Sequence, residues 1–166
     1  MQTLKDLLIE ELRDTYSSET QIVDGLEEMA EAATSPNLKL AFQTHLKETQ
    51  NQIERLKQAF AHLDADPEGN TCEATEGLIA EAQEVMDDEL SDELLDVALV
   101  LAAQKVEHYE IASYGGLKTI AEECGETEVA ALLGQTLEEE KATDEKLTQL
   151  AETEINKAAV SVAKAA

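Results

Sequence analysis

The chain has no tryptophan, only two prolines and seven glycines, and few aromatics, three Tyr and two Phe in 166 residues. Proline interrupts helices and glycine loosens them, so their scarcity permits long unbroken helices. The two cysteines, Cys72 and Cys124, form neither a CxxC pair nor a disulfide framework and read as free thiols near helix ends. Basic residues are scarce as well, with 12 Lys and Arg against 37 Asp and Glu, a formal charge of −25. Nucleic acid and anionic membranes recruit Lys and Arg, which argues against both as partners. So acidic a surface suits concentrated salt, where self-repulsion is screened, and points to a salt-loving (halophilic) source. No secretory apolar stretch follows Met1 and no apolar run is long enough to span a bilayer, so a cytoplasmic location is expected.

What is present is helix-forming sequence, rich in Ala, Glu, Leu, Lys, Gln and Thr, and long enough for one domain with a real core. The form Thr3-x-x-Asp6 is a capping box, and Leu8, Leu12, Ile22, Leu26 and Met29 keep a helical period to about Ala33. Ser35-Pro36 reads as an N-cap and first helical residue, opening a second helix to about Leu63. The stretch 64–70, with Pro67 and Gly69, is the one clear loop, followed by a shorter helix over about 72–89. A third long helix begins near Ser91 and ends at Cys124-Gly125, and a fourth begins near Thr127. The long link between the second and third long helices lets both start at the same end, as in ferritin-like bundles. The expected fold is all-α, a four-helix bundle over 1–155 whose single long crossover carries an extra short helix. The Ala/Lys-rich segment 156–166 shows no packing stripe and is expected to fray.

The candidate functional residues interrupt the apolar faces of these helices. Glu107 and Glu110 lie three apart, on the helix face that carries Val100, Ala103, Tyr114 and Leu117. The second helix turns consecutive core positions polar at His45, Glu48 and Gln52, the first does so at Thr15 and Glu19, and the fourth at Glu140 and Asp144. Counting equal distances from the hairpin loops brings Glu107 and Glu110 level with Glu140 and Glu139, and Glu48 level with the turn holding Glu19. A faint internal repeat, laying Leu26–Leu56 over Leu117–Leu147, places Glu19 on Glu110 and Glu48 on Glu139. Carboxylates are rarely buried unless paired, protonated or bound to metal. In a helical bundle, several converging on one layer suit a pair of metal ions. Hard oxygen donors favour iron, with manganese or another divalent metal as the alternative. Glu19, Glu48, Glu107, Glu110 and Glu140 are the expected ligands, with His45 and Asp144 next. Tyr114, one turn beyond Glu110, can donate a hydrogen bond into the layer. The competing explanation is a metal-free polar layer that only sets the register of the bundle.

The segment Ala103-Gln104-Lys105-Val106-Glu107-His108-Tyr109-Glu110-Ile111-Ala112-Ser113-Tyr114-Gly115 closely resembles the signature of the YciE/YciF family of ferritin-like proteins. Segments 14–19, 45–49 and 137–144 resemble other parts of that family, so the likeness covers about 4–154. It implies a ferritin-like bundle, a homodimer and a connection with stress responses. A more distant resemblance is to rubrerythrin-type di-iron proteins, whose Glu-x-x-Glu pair is matched by Glu107 and Glu110. Where that pattern has a Glu-x-x-His, this chain has Glu140 with Thr143. Its second helix reverses the order as His45-x-x-Glu48, with Asn51 where His is usual. There is no rubredoxin-like cysteine knuckle. These likenesses imply a di-iron protein that acts on O₂ or peroxide. The alternatives are iron sequestration in a hollow multimer and a non-catalytic structural stress protein.

Overall fold

The computed structural model describes residues 1–163, all helices, turns and short links. Six α-helices follow one another: α1 Leu4–Ala32, α2 Pro36–Leu63, α3 Glu73–Asp87, α4 Asp92–Glu123, α5 Thr127–Leu150 and α6 Asn156–Ala163. One turn of π-helix, Ala151–Ile155, joins α5 to α6. The boundaries follow local chemistry. Thr3 and Asp6 close a reciprocal capping box at α1. Ser35 caps α2 ahead of Pro36, and Ser91 caps α4. Gly125, at φ 76°, takes the left-handed turn after α4, and Glu126 N–H reaches back to the carbonyl of Ala121.

The four long helices pack in a ring, α1 against α2, α2 against α5, α5 against α4 and α4 against α1. Contacts at the ends fix their directions. Lys5 Nζ lies 2.6 Å from Glu126 Oε1, so α1 and α5 start together. Thr34 and Ser35 reach Asp96, and Ser35 and Asn37 reach Glu154, so α2 and α4 start where α1 and α5 finish. Every neighbouring pair is therefore antiparallel. The single long crossover runs from α2 to α4 and carries α3, which lies against α1 and α4. This is the all-α, ferritin-like arrangement expected from the sequence.

The core is divided. One apolar cluster, around Ile22, Leu26, Phe42, Leu99 and Leu147, fills the end near the Ser35 turn. A second, around Leu8, Leu12, Leu56, Phe60 and Leu133, fills the other. Between them lies a buried polar layer, Thr15, Glu19, His45, Thr49, Gln52, Glu107, Glu110, Thr136 and Glu140. Each long helix is thus apolar toward both ends and polar in its middle.

Helix continues through the π turn to Ala163, with side chains 156–161 mostly exposed, and residues 164–166 lie outside the described residues. The wide turn inserts an extra residue, which shifts the helical register and seats Ile155 in the core. It also directs Glu154 to the Ser35 hydroxyl and the Asn37 amide. No described helix is long and apolar enough to cross a membrane.

Asp96 ties three elements together, accepting from Thr34 N–H at 2.8 Å, Ser35 N–H at 2.8 Å and Thr34 hydroxyl at 2.7 Å. Its side chain is buried, and removing it deprives two backbone donors of the turn of their partner. Charge-assisted hydrogen bonds contribute about 1.5–3 kcal/mol each before such non-additivity is counted. Asp96→Ala should destabilise the protein by about 2–4 kcal/mol in urea unfolding; a change below about 0.5 kcal/mol would show that water replaces the carboxylate.

Candidate metal centre

The polar layer is assembled from one stripe of each long helix. Glu19 comes from α1, His45 and Gln52 from α2, Glu107, Glu110 and Tyr114 from α4, and Glu140 from α5. Helix spacing places Glu107, Glu110 and Tyr114 on successive turns of one face. The antiparallel α4–α5 pair brings Glu140 opposite them. All seven residues are no more than 3% exposed.

His45, Glu107, Glu110 and Glu140 each offer a ligand atom, and these four atoms lie within 4.8 Å of one another. His45 Nε2 is 3.1 Å from Glu107 Oε1 and 3.6 Å from Glu140 Oε2. The Tyr114 hydroxyl donates to Glu19 Oε1, and the Gln52 amide donates to Glu140 Oε1. Even so, Glu19 Oε2, His45 Nε2, Gln52 Oε1, Glu107 Oε2, Glu110 Oε2 and Glu140 Oε2 have no aligned hydrogen-bond partner. The His45 contact with Glu107 is close but not aligned as a hydrogen bond. Buried polar atoms are ordinarily paired, because leaving one unpaired costs about 1–3 kcal/mol. Six converging on one layer call for protons shared between carboxyls or for a cation.

The electrostatics of the metal-free layer favour shared protons. Burial pushes the Glu19 carboxyl up to about 7, against the pull of the Tyr114 hydrogen bond and the His45 charge. Burial pushes Glu140 up to about 10, with His45 opposing and the charges of Glu107 and Glu19 adding to it. Glu110 is raised well above the usual carboxylate range by burial, then by Glu19, Glu140 and Glu107. A carboxyl kept protonated in this way can donate to an ionised neighbour, as Glu110 can to Glu19 and Glu140 to Glu107. Burial disfavours the imidazolium of His45, yet the charge of Glu107, with Glu48 and Glu140, holds its pKa well above the ordinary value. Burial and the Glu19 carboxylate keep Tyr114 a neutral donor. A divalent cation bound among these carboxyls would take the place of such protons.

The donor set fits such a cation. Carboxylates and an imidazole are oxygen and nitrogen donors of the type iron and manganese accept; those of Glu107, Glu110, Glu140 and His45 are grouped closely enough to share an ion, with the Glu19 carboxylate buried in the same layer. Around the layer, Arg55 grips Glu139 through two bonds of 2.9 Å and reaches Thr136 at 2.6 Å. Gln52 links this ion pair to Glu140.

The sequence-derived candidates divide accordingly. Glu19, His45, Glu107, Glu110 and Glu140 come together in the buried layer. Glu48 does not, since its side chain is 43% exposed and touches the outer nitrogen of His45, Nδ1, at 3.6 Å. Three residues along a helix rotate it about 60° from His45, toward the gap between α2 and α5. Asp144 also lies outside, accepting from Gln104 at 3.0 Å and facing the exposed His108 at 3.4 Å. It follows Glu140 by one turn and so sits past the layer. Glu139 points away as well, toward Arg55. Sequence reasoning missed the bracing by Arg55 and Gln52. An arginine in so acidic a chain, one turn from a core glutamine, was the available signal.

Two cavities reach the centre. An open cleft of about 400 Å³ between α2 and α5 ends on His45 and Glu107. On the opposite side, an apolar pocket of about 30 Å³ under α3, lined by Ile22, Leu26, Ile79 and Ala82, ends on the same two residues.

Fold and layer together define a ferritin-like helical bundle with a buried carboxylate–imidazole cluster. The model of the family described as Domain of unknown function (DUF892) matches residues 3–160. The chain belongs to this family, that of YciF. It is 49% identical over 160 residues to YciF of Escherichia coli (strain K12), covering 96% of each chain. The crystal structure of the E. coli stress protein YciF matches at a TM-score of 0.91 with 49% identity, over 95% of this chain and 99% of that one. YcfI of Rhodopseudomonas palustris, for which a structural role has been suggested, matches at 0.87 with 47% identity, over 89% and 94% of the two chains. A protein of Xanthomonas campestris pv. campestris matches at 0.75 with 26% identity, over 97% and 95%.

The raised carboxyls carry a stability consequence. Their folded pKa values exceed the ordinary 4.5, so the native state holds protons that the unfolded chain has released. That stability is complete below about pH 4.5 and is lost as pH rises, through about 7 for Glu19 and about 10 for Glu140. Glu19 alone amounts to on the order of 3 kcal/mol, roughly 6–12 °C in Tm. The Tm of metal-free protein in chelator should fall between pH 5 and pH 9; a rise over that interval would contradict the shared-proton layer.

Proposed function

We propose that this chain is a di-metal carboxylate protein, with two iron ions as the resident pair and oxidase or peroxide-scavenging chemistry in a stress response. Manganese is the alternative metal. The observation that carries this reading is the set of six unpartnered polar atoms facing one another in the middle of the core. Glu19, His45, Glu107, Glu110 and Glu140 would hold the metals. When bound, the pair supplies redox chemistry toward O₂ or peroxide.

The chain's own residues prepare that site. Glu110 and Glu140 surrender their shared protons when cations arrive, so binding releases protons and tightens as pH rises. Tyr114 holds a proton at its hydroxyl against Glu19, and Gln52 fixes the orientation of Glu140. The apolar clusters on either side exclude water, which keeps the electrostatics of the layer strong. The association with stress rests on the description of the E. coli relative. A homodimer, implied by the family resemblance, belongs to the same proposal, with twice the 18.1 kDa chain mass expected by light scattering. A hollow shell of many chains would favour iron sequestration instead.

A purely structural layer uses the buried acids only to set register, whereas a metal site retains them as ligands at a cost in stability. Glu110→Gln removes a buried ionisable group while nearly preserving its shape. The variant should melt at or above the temperature of the metal-free wild type in chelator, yet lose the Tm increase that Fe²⁺ or Mn²⁺ gives the wild type. Elemental analysis should find up to two metal ions per wild-type chain and fewer in the variant. Wild-type protein that takes up no metal, and whose Tm is indifferent to it, would leave the structural layer as the function.

A further inference from the structure

Resting on that reading of the centre, we propose that the cleft between α2 and α5 is the port through which metal ions reach it. Glu48, beside the outer nitrogen of His45, then forms a transient capture site at its mouth. The cleft is open to solvent and its floor is His45 and Glu107, which are 2% and 1% exposed and carry unpartnered Nε2 and Oε2 atoms. His45 spans the boundary. Its Nε2 faces Glu107 and Glu140 inside, while its Nδ1 faces Glu48 at 3.6 Å and the Thr143 hydroxyl at 3.4 Å.

Size separates the two approaches. A hydrated divalent cation carries about six waters, each needing about 10–15 Å³ of cavity, or roughly 60–90 Å³ in all. The cleft offers about 400 Å³ and the pocket under α3 about 30 Å³. The pocket is also walled by apolar side chains, which strip hydration without replacing it. Cations therefore approach between α2 and α5.

Charge then singles out Glu48 at the mouth. The other carboxylates lining the cleft are already paired, Glu139 with Arg55 and Glu138 with Lys141 at 2.8 Å. Lys146 also lines it and opposes capture. Among the described residues, Glu48 has no Lys or Arg partner, and its ion-pair contact is with His45. A cation held there exchanges water for carboxylate oxygen before it passes inward.

A residue that serves transit lowers the barrier in both directions, so it changes rates and leaves the equilibrium alone. Metal-free protein mixed with Co²⁺ under anaerobic conditions reports uptake through the visible absorption of the bound ion. Glu48→Gln should slow uptake by about tenfold, with final Co²⁺ per chain at saturation unchanged. Ala142→Trp, at an exposed position lining the cleft, should slow uptake similarly by narrowing it. Reduced stoichiometry or affinity in Glu48→Gln, with the uptake rate preserved, would make Glu48 a resident ligand and overturn the proposal. Unchanged rates in both variants would place the port elsewhere and overturn it too. Failure of the wild type to take up Co²⁺ would instead defeat the metal-centre reading itself, and this inference with it; that result appears before any variant is compared.

Discussion

Four carboxyl groups enclosed in one layer of a helical bundle cannot all carry their charge without help. Like charges a few ångströms apart in a low-dielectric interior repel strongly, and each ionised group also forfeits its hydration. The remaining solutions are protons shared between carboxyls or cations placed among them. The raised carboxyls of Glu19, Glu110 and Glu140 favour the first solution, and the unpartnered oxygens leave room for the second. Protons shared in the metal-free layer and the cations proposed for it would satisfy the same atoms.

The rest of the fold makes that layer possible. Burying a polar band in mid-bundle sacrifices apolar area, which the clusters at either end must offset. Leu8, Leu12, Leu56 and Phe60 pack on one side, Leu26, Phe42, Leu99 and Leu147 on the other. The turn at Thr34-Ser35 is pinned by Asp96, so α1 and α2 cannot slide against α4 and separate Glu19 from Glu110. Arg55 serves a parallel purpose from outside, drawing Glu139 away from the layer and leaving Glu140 to occupy it. The result is a site whose side chains are positioned by rigid helices rather than loops.

Most of this could be read before any coordinates. Helix starts were legible because capping is local chemistry, as at Thr3, Ser35 and Ser91. The crossover topology followed from one long link. Depth counting from the hairpin loops found Glu19, Glu107, Glu110 and Glu140, because antiparallel helices keep equal rise per residue. It did not resolve rotation about a helix axis, and Glu48 lies about 60° from His45 at nearly the same depth, which is why it falls at a cleft and not in the core. Asp144 shares Glu140's face but lies one turn further along, where Gln104 claims it. The C-terminal helix was hidden for a different reason. The π turn at Ala151–Ile155 breaks the helical period, so Ile155 is out of phase with the stripe before it although it reaches the same core.

The central claim, that acids from three helices and a histidine from the fourth surround a place for metal, is tested most directly by locating the metal. Crystals grown with Mn²⁺ and measured at the manganese absorption edge should show strong anomalous density enclosed by Glu19, His45, Glu107, Glu110 and Glu140. A layer without anomalous density, with manganese found only on exposed carboxylates, would contradict it.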